Sequence, residues 1–254
     1  MAIITIDGLD GSGKETLSRA LVSELKKQYG EDKVEYISFP DYTSTSGKSI
    51  SEFLSGKNNI RNIIPNIRLP YLICELFAIN RREYFMTNGL PKEDKIYVYD
   101  RYSASNILYQ AQGFSIDQIN ALIDYNLRTD YDVYKNPIPD FSIFLRVPYF
   151  TLRSRLDARK VNKNGAESDA YEADSFLKAS YHLSELLVLK QDFLNTSKVF
   201  DYIVDGVNEE GVAHAPEALA HYLMSVLLER GILPAIAEEE SQVIDDTQNS
   251  VEKE

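Results

Sequence analysis

"GLDGSGKET" (residues 8–16) decides how this chain is read. Gly8, Gly13 and Lys14 keep the spacing of the phosphate-cradling loop G-x-x-x-x-G-K-[ST], after an apolar run and before a segment of helical periodicity. Glycines let backbone N–H groups approach phosphate oxygens, a helix N-terminus adds its dipole, and the lysine adds a point charge. A glycine turn that merely joins strand to helix is the alternative, and it gives no reason for a lysine in register. One position departs from the pattern: Glu15 stands where a serine or threonine hydroxyl would meet magnesium.

Outward from the loop, five short apolar runs read as strands: "AIITI" (2–6), "VEYIS" (34–38), "IYVY" (96–99), "FSIFLR" (141–146) and "VFDYIV" (199–204). Most are followed by helical periodicity, which predicts an α/β fold with a five-stranded parallel sheet covered by helices on both faces. Polar or glycine residues just past the strand ends place a site along that edge. In "RLPYLICELFAINRREYF" (68–85), Leu69, Leu72, Ile73, Leu76 and Phe77 mark the apolar face of a long helix. A second long helix is predicted from Tyr171 to Leu194. Between them, "RSRLDARKVNKNGAESD" (153–169) reads as a mobile basic flap.

The net charge of −12 argues against a nucleic-acid or anionic-membrane partner. Seven acids against one lysine fall between Glu238 and Glu254, so residues 233–254 read as a solvated tail on a domain spanning 1–232. The one cysteine, Cys74, lies among apolar neighbours and reads as a buried structural thiol. No apolar run has the length of a membrane span, and "MAIITI" has no basic region of a secretory signal, so a cytoplasmic protein is expected.

The chemistry narrows further. A GTPase would need N-K-x-D, and "NKNG" (162–165) lacks the aspartate. The strand "IYVY" leads into Asp100-Arg101, an acid near the metal beside a cation. That pair suits a reaction that brings two phosphate groups together, as in a kinase acting on a phosphorylated small molecule.

"IDGLDGSGKET" (6–16), "FPDY" (39–42), "LFAINR" (76–81), "DRYSASNILYQ" (100–110) and "DAYE" (169–172) together resemble the thymidylate (dTMP) kinase family in order and context, over roughly residues 3–205. The resemblance implies a P-loop NTPase fold, a mobile lid at about 153–170, ATP and Mg2+, phosphorylation of dTMP, and a homodimer packed through helices. It assigns ATP phosphates to Gly8, Gly11, Ser12, Gly13, Lys14, Glu15 and Thr16. For dTMP it implies Phe77 stacked on the base, Arg81 on O4, Asn106 on N3–H, and Tyr109 crowding a ribose 2′-OH. Asp10, Phe39, Pro40, Tyr42, Arg101, Ser105, Gln110 and Tyr171 complete that site.

The same resemblance makes Lys14, Arg101 and Asp10 catalytic. Lid residues Arg155 and Arg159 join them, because the loop interior holds no arginine. Metal ligands would be Asp10, Asp100 and Glu172, with Glu15 pointing sideways from the first helical turn, where the dipole favours an acid. "FPDY" lacks the arginine often found there, Ala170 replaces a polar residue, and the region 128–140 has no assigned role. Two rivals remain: another nucleoside or nucleotide kinase of the same fold, and a nucleotide-binding regulator without turnover.

Overall fold

The computed structural model describes residues 1–57, 60–162, 174–189 and 199–235. Its centre is β1 (Ala2–Asp7), buried along its whole length. Ile3, Ile4 and Ile6 have no exposed surface, as expected of a strand covered on both faces. Around it stand β2 (Val34–Ser38), β3 (Ile96–Asp100), β4 (Phe141–Arg146) and β5 (Tyr202–Asp205). The order is β2-β3-β1-β4-β5, and every pairing is parallel. Beginning β5 at Tyr202 corrects the reading of 199–204: Phe200 lies before the ladder and packs its ring on Phe144 at 4.9 Å. Its apolar character reports packing rather than pairing.

Helix α1 (Lys14–Tyr29) follows the glycine loop and packs on α9 (Pro216–Glu229). A second group comprises α2 (Thr45–Leu54), α4 (Leu69–Asn88), α5 (Ser103–Gln110) and α6 (Ile116–Leu127), with α3 (Ile60–Ile63) a single turn between α2 and α4. The buried face of α4 carries Pro70, Ile73, Cys74, Ala78, Arg81 and Phe85, so the stripe read from the sequence is rotated. Leu72, Ile79 and Met86 stand on the opposite, exposed face.

The basic flap is corrected in part. Residues 149–162 form helix α7 (Tyr149–Asn162), which contains no glycine or proline and pairs Arg153 with Asp157 one turn on. Helix α8 (Asp174–Leu189) is the described part of the second predicted long helix. Tyr171, Glu172, lid residues 163–170 and most of the acidic tail lie outside the described residues. In the region 128–140, α6 runs on into a π-helical turn, Arg128–Val133, that buries Asp130 completely.

Candidate active site

The glycine loop turns through two left-handed residues, Gly11 (φ 83°) and Gly13 (φ 91°). A Cβ on Gly11 would stand 2.9 Å from the Leu152 carbonyl of α7, so close approach as well as φ requires glycine. Lys14 starts α1, and its Nζ lies 3.3 Å from the Leu9 carbonyl and 3.5 Å from Asp10 Oδ1. Arg155 reaches across from α7, its Nη1 donating to the Ser12 and Gly11 carbonyls at 2.8 and 3.2 Å. A cavity of about 360 Å³ opens here, lined by Gly11, Gly13, Thr16, Arg155, Arg159 and His214 among others. Glu15 points away from it, exposed and paired with Arg19 at 3.1 Å.

Arg101 follows β3 with φ 65°, a strained conformation for a non-glycine residue and one that concentrates at functional sites. Its Nη2 donates to Asp10 Oδ1 and its Nη1 to the Tyr109 hydroxyl at 3.2 Å. Asp10 is therefore an anion held between two cations. Burial pushes its carboxyl up, but the Arg101 and Lys14 charges outweigh that and bring it down to about 2. For Lys14, burial first and then repulsion by Arg101 lower the ammonium to about 8.

Beside Arg101 lies a smaller cavity of about 110 Å³. Asp10, Pro40, Tyr42, Phe77, Arg101, Ser105, Asn106, Tyr109 and Gln110 line it, together with Leu54. Positions 106, 109 and 110 meet here because residues three and four apart share a helical face. The loop bearing Pro40 and Tyr42 is clamped from α4, where buried Asn80 exchanges two hydrogen bonds with the Asp41 backbone, 2.8 and 2.9 Å. Gly47 admits that loop, since a Cβ there would lie 1.9 Å from the Asp41 carbonyl. Glu83 completes the clamp by accepting from the Thr45 and Ser46 N–H groups at the start of α2, at 3.0 and 2.9 Å. Sequence reasoning missed Asn80, Gly47, Glu83 and Leu54; Asn80 lay inside a motif already singled out.

Two expectations are corrected. Phe39 does not line the cavity; it is buried in a cluster with Tyr84, Phe85, Tyr99 and Tyr102. Arg81 does not line it either. Its guanidinium is buried against Asp130, with Nε to Oδ1 at 3.0 Å and Nη2 to Oδ2 at 2.5 Å. Helical spacing put Phe77 and Arg81 on neighbouring surface, but Asp130 draws the guanidinium under the helix.

Of the three carboxylates expected to hold magnesium, Asp100 fits such an ion better than Asp10. Tyr36 and Ser38 hydroxyls donate to its Oδ2, whereas its buried Oδ1 has no partner. Such an oxygen suits a cation that keeps most of its ligands as water and phosphate. Asp10 is engaged by Lys14, Arg101 and Tyr109, which argues for a spacing role rather than metal ligation. A larger cavity, about 640 Å³, is lined by Thr5, Ser103, Asn126 and Tyr131 among others and touches neither the glycine loop nor Arg101.

A parallel sheet in this order, with a lysine-bearing glycine loop between β1 and α1, defines a P-loop nucleotide-binding protein. The family model described as thymidylate kinase matches residues 6–191. The chain belongs to the thymidylate kinase family. It is 30% identical over 175 residues to the thymidylate kinase of Clostridium novyi (strain NT), covering 66% of this chain and 77% of that one. It is 35% identical over 116 residues to that of Wolbachia pipientis wMel, covering 45% and 54%. Among solved structures, the thymidylate kinase from Candida albicans is similar with a TM-score of 0.60 and 23% identity, over 91% of this chain and 92% of that one. The enzyme from Ehrlichia chaffeensis gives 0.53 and 21%, over 90% and 98%.

Proposed function

We propose that the chain transfers the γ-phosphoryl group of ATP to dTMP, giving ADP and dTDP. The observation that carries this reading is the charge relay Lys14–Asp10–Arg101, which runs from the glycine loop to the smaller cavity. ATP phosphates lie on the loop from Gly8 to Thr16, with Lys14 and the Arg155 and Arg159 side chains of α7 as cations. The dTMP base lies between Phe77 and Asn106, and its phosphate meets Arg101. Pro40, Tyr42, Ser105, Tyr109 and Gln110 enclose the sugar and phosphate.

An acceptor phosphate oxygen attacks the γ-phosphorus and ADP leaves, with no covalent enzyme intermediate. The protein contributes alignment and charge neutralisation. Magnesium, when bound, neutralises phosphate oxygens; Asp100 would hold it, with Glu172 as a further candidate. The catalytic unit spans residues 1–232, with 153–170 as its lid and Tyr171 at the lid's end.

The protein acts as a homodimer. Leu72, Ile79 and Met86 recur every seven residues on the face of α4 opposite its buried side, and a helix apolar on two faces calls for a second covering surface. Among the described residues, no helix is long and apolar enough to cross a membrane.

A coupled assay with ATP and a panel of nucleoside monophosphates tests the reading. Preferred turnover of dTMP supports it. Equal turnover of dGMP or dAMP would replace it with a broader deoxynucleotide kinase, and ATP binding without turnover would leave a regulator.

A further inference from the structure

The polarity of the cavity-lining Asn106 amide is set from outside that cavity. Asn106, almost fully buried on α5, donates from Nδ2 to Asn126 Oδ1 at 2.8 Å. Asn126, equally buried on α6, donates from its own Nδ2 to the Ser103 carbonyl at 3.1 Å and to Ser103 Oγ at 2.8 Å. A carbonyl oxygen can only accept, so the Asn126 amide is held one way round, with Oδ1 toward Asn106. Asn106 must then use its Nδ2 for Asn126, which leaves its Oδ1 as the atom free to face a ligand.

We propose that Asn126 is a positioning residue that fixes Asn106 as a hydrogen-bond acceptor, so that the cavity selects a base with a ring N–H over one with a bare ring nitrogen. Thymine and uracil offer N3–H to that oxygen. Cytosine presents N3 as an acceptor, and two acceptors then face each other unpaired. An asparagine free to turn over would instead serve either base, donating to one and accepting from the other. The discrimination falls on this relay because Arg81 is held by Asp130 and does not line the cavity.

Ser103 lies three residues before Asn106 on α5, so α6 reads the orientation of one α5 residue and imposes it on the next turn. Tyr131, on the π-helical turn after α6, lines the same larger cavity as Ser103 and Asn126. The inference rests on the base lying against Asn106, as given under the proposed function.

The test is the ratio of dissociation constants for dTMP and dCMP, measured calorimetrically on the full chain. Asn126→Ala frees the Asn106 amide and should narrow the ratio by about tenfold, within the one to two decades that an unpaired buried polar group supports. ATP affinity should be unchanged. Asn126→Asp, protonated in this buried position, can still donate to Ser103 and accept from Asn106, so it should keep the ratio within about twofold of wild type. If Asn126→Ala does not fold, Asn126→Ser replaces it; it keeps a donor for Ser103, is too short to hold Asn106, and should show the same narrowing. A lowered melting temperature with an unchanged ratio would overturn the proposal and leave Asn126 as a tie between helices. Asn106→Ala separates the two readings: an unchanged ratio there overturns the placement of the base itself.

Discussion

The Arg81 guanidinium and the Asp130 carboxylate meet through two hydrogen bonds, 3.0 and 2.5 Å long, with both side chains sealed from solvent. Asn136 donates to the same carboxylate at 2.7 Å, and the Tyr102 ring lies 5.2 Å from the guanidinium carbon. Removing one member leaves the other charged and buried, which costs about 3–5 kcal/mol. Arg81→Ala and Asp130→Ala should each lower stability by that order in urea denaturation. The double variant Arg81→Leu/Asp130→Leu should recover most of the loss. A loss of less than about 1 kcal/mol in both single variants would show that the pair does not form.

The two cations that flank Asp10, Lys14 and Arg101, are the proposed source of charge neutralisation in turnover. Lys14→Ala and Arg101→Ala should each reduce the rate with dTMP by at least about 100-fold, the scale of losing one oriented charge in a preorganised site. Circular dichroism should stay unchanged. A rate within a few fold of wild type in either variant would remove that residue from the phosphate-transfer site.

Glu15 faces solvent beside Arg19 rather than the glycine loop. Glu15→Ser, which restores the usual hydroxyl, should therefore keep activity within roughly tenfold, because on the proposed reading magnesium would be held by phosphate, water and other carboxylates. A larger loss that raised magnesium repairs would make Glu15 a metal ligand.

Glu83 supplies a pH-dependent element to the clamp at the start of α2. The Ser46 hydroxyl first, and then the Ser46 and Thr45 N–H groups, hold its carboxyl down at about 2, against an ordinary value of 4.5. A depressed folded value means that the stabilisation is complete above about pH 4.5 and is lost as pH falls toward 2. Glu83→Gln should shrink the difference in urea midpoint between about pH 6 and about pH 3. The group is partly exposed, so the change is modest. An undiminished difference would show that other carboxylates carry the whole acid response.

The exposed stripe on α4 gives the last expectation. Ile79→Lys places a charge at the middle of Leu72, Ile79 and Met86 and should shift the proposed dimer to monomer in light scattering, with the monomer's helical content intact. A wild-type monomer, or a variant dimer as tight as wild type, would exclude this face as the contact.

Much of this protein is legible in short windows of sequence. The glycine loop needs residues within one turn of chain, strands two-sidedly buried read as continuous apolar runs, and Asn106, Tyr109 and Gln110 share a face by helical spacing alone. These are local consequences of backbone geometry. Tertiary structure decided where buried polar groups find partners. Arg81 is satisfied by Asp130, 49 residues further on, Asn80 by the Asp41 backbone, and Asn106 by Asn126. A buried charge or amide must be paired, but which distant group pairs with it depends on what packing brings within about 3 Å, and no local pattern encodes that distance. Phe39 and Leu72 make the same point from the apolar side: each reads correctly as apolar, and only the packed fold decides that the first is core and the second surface.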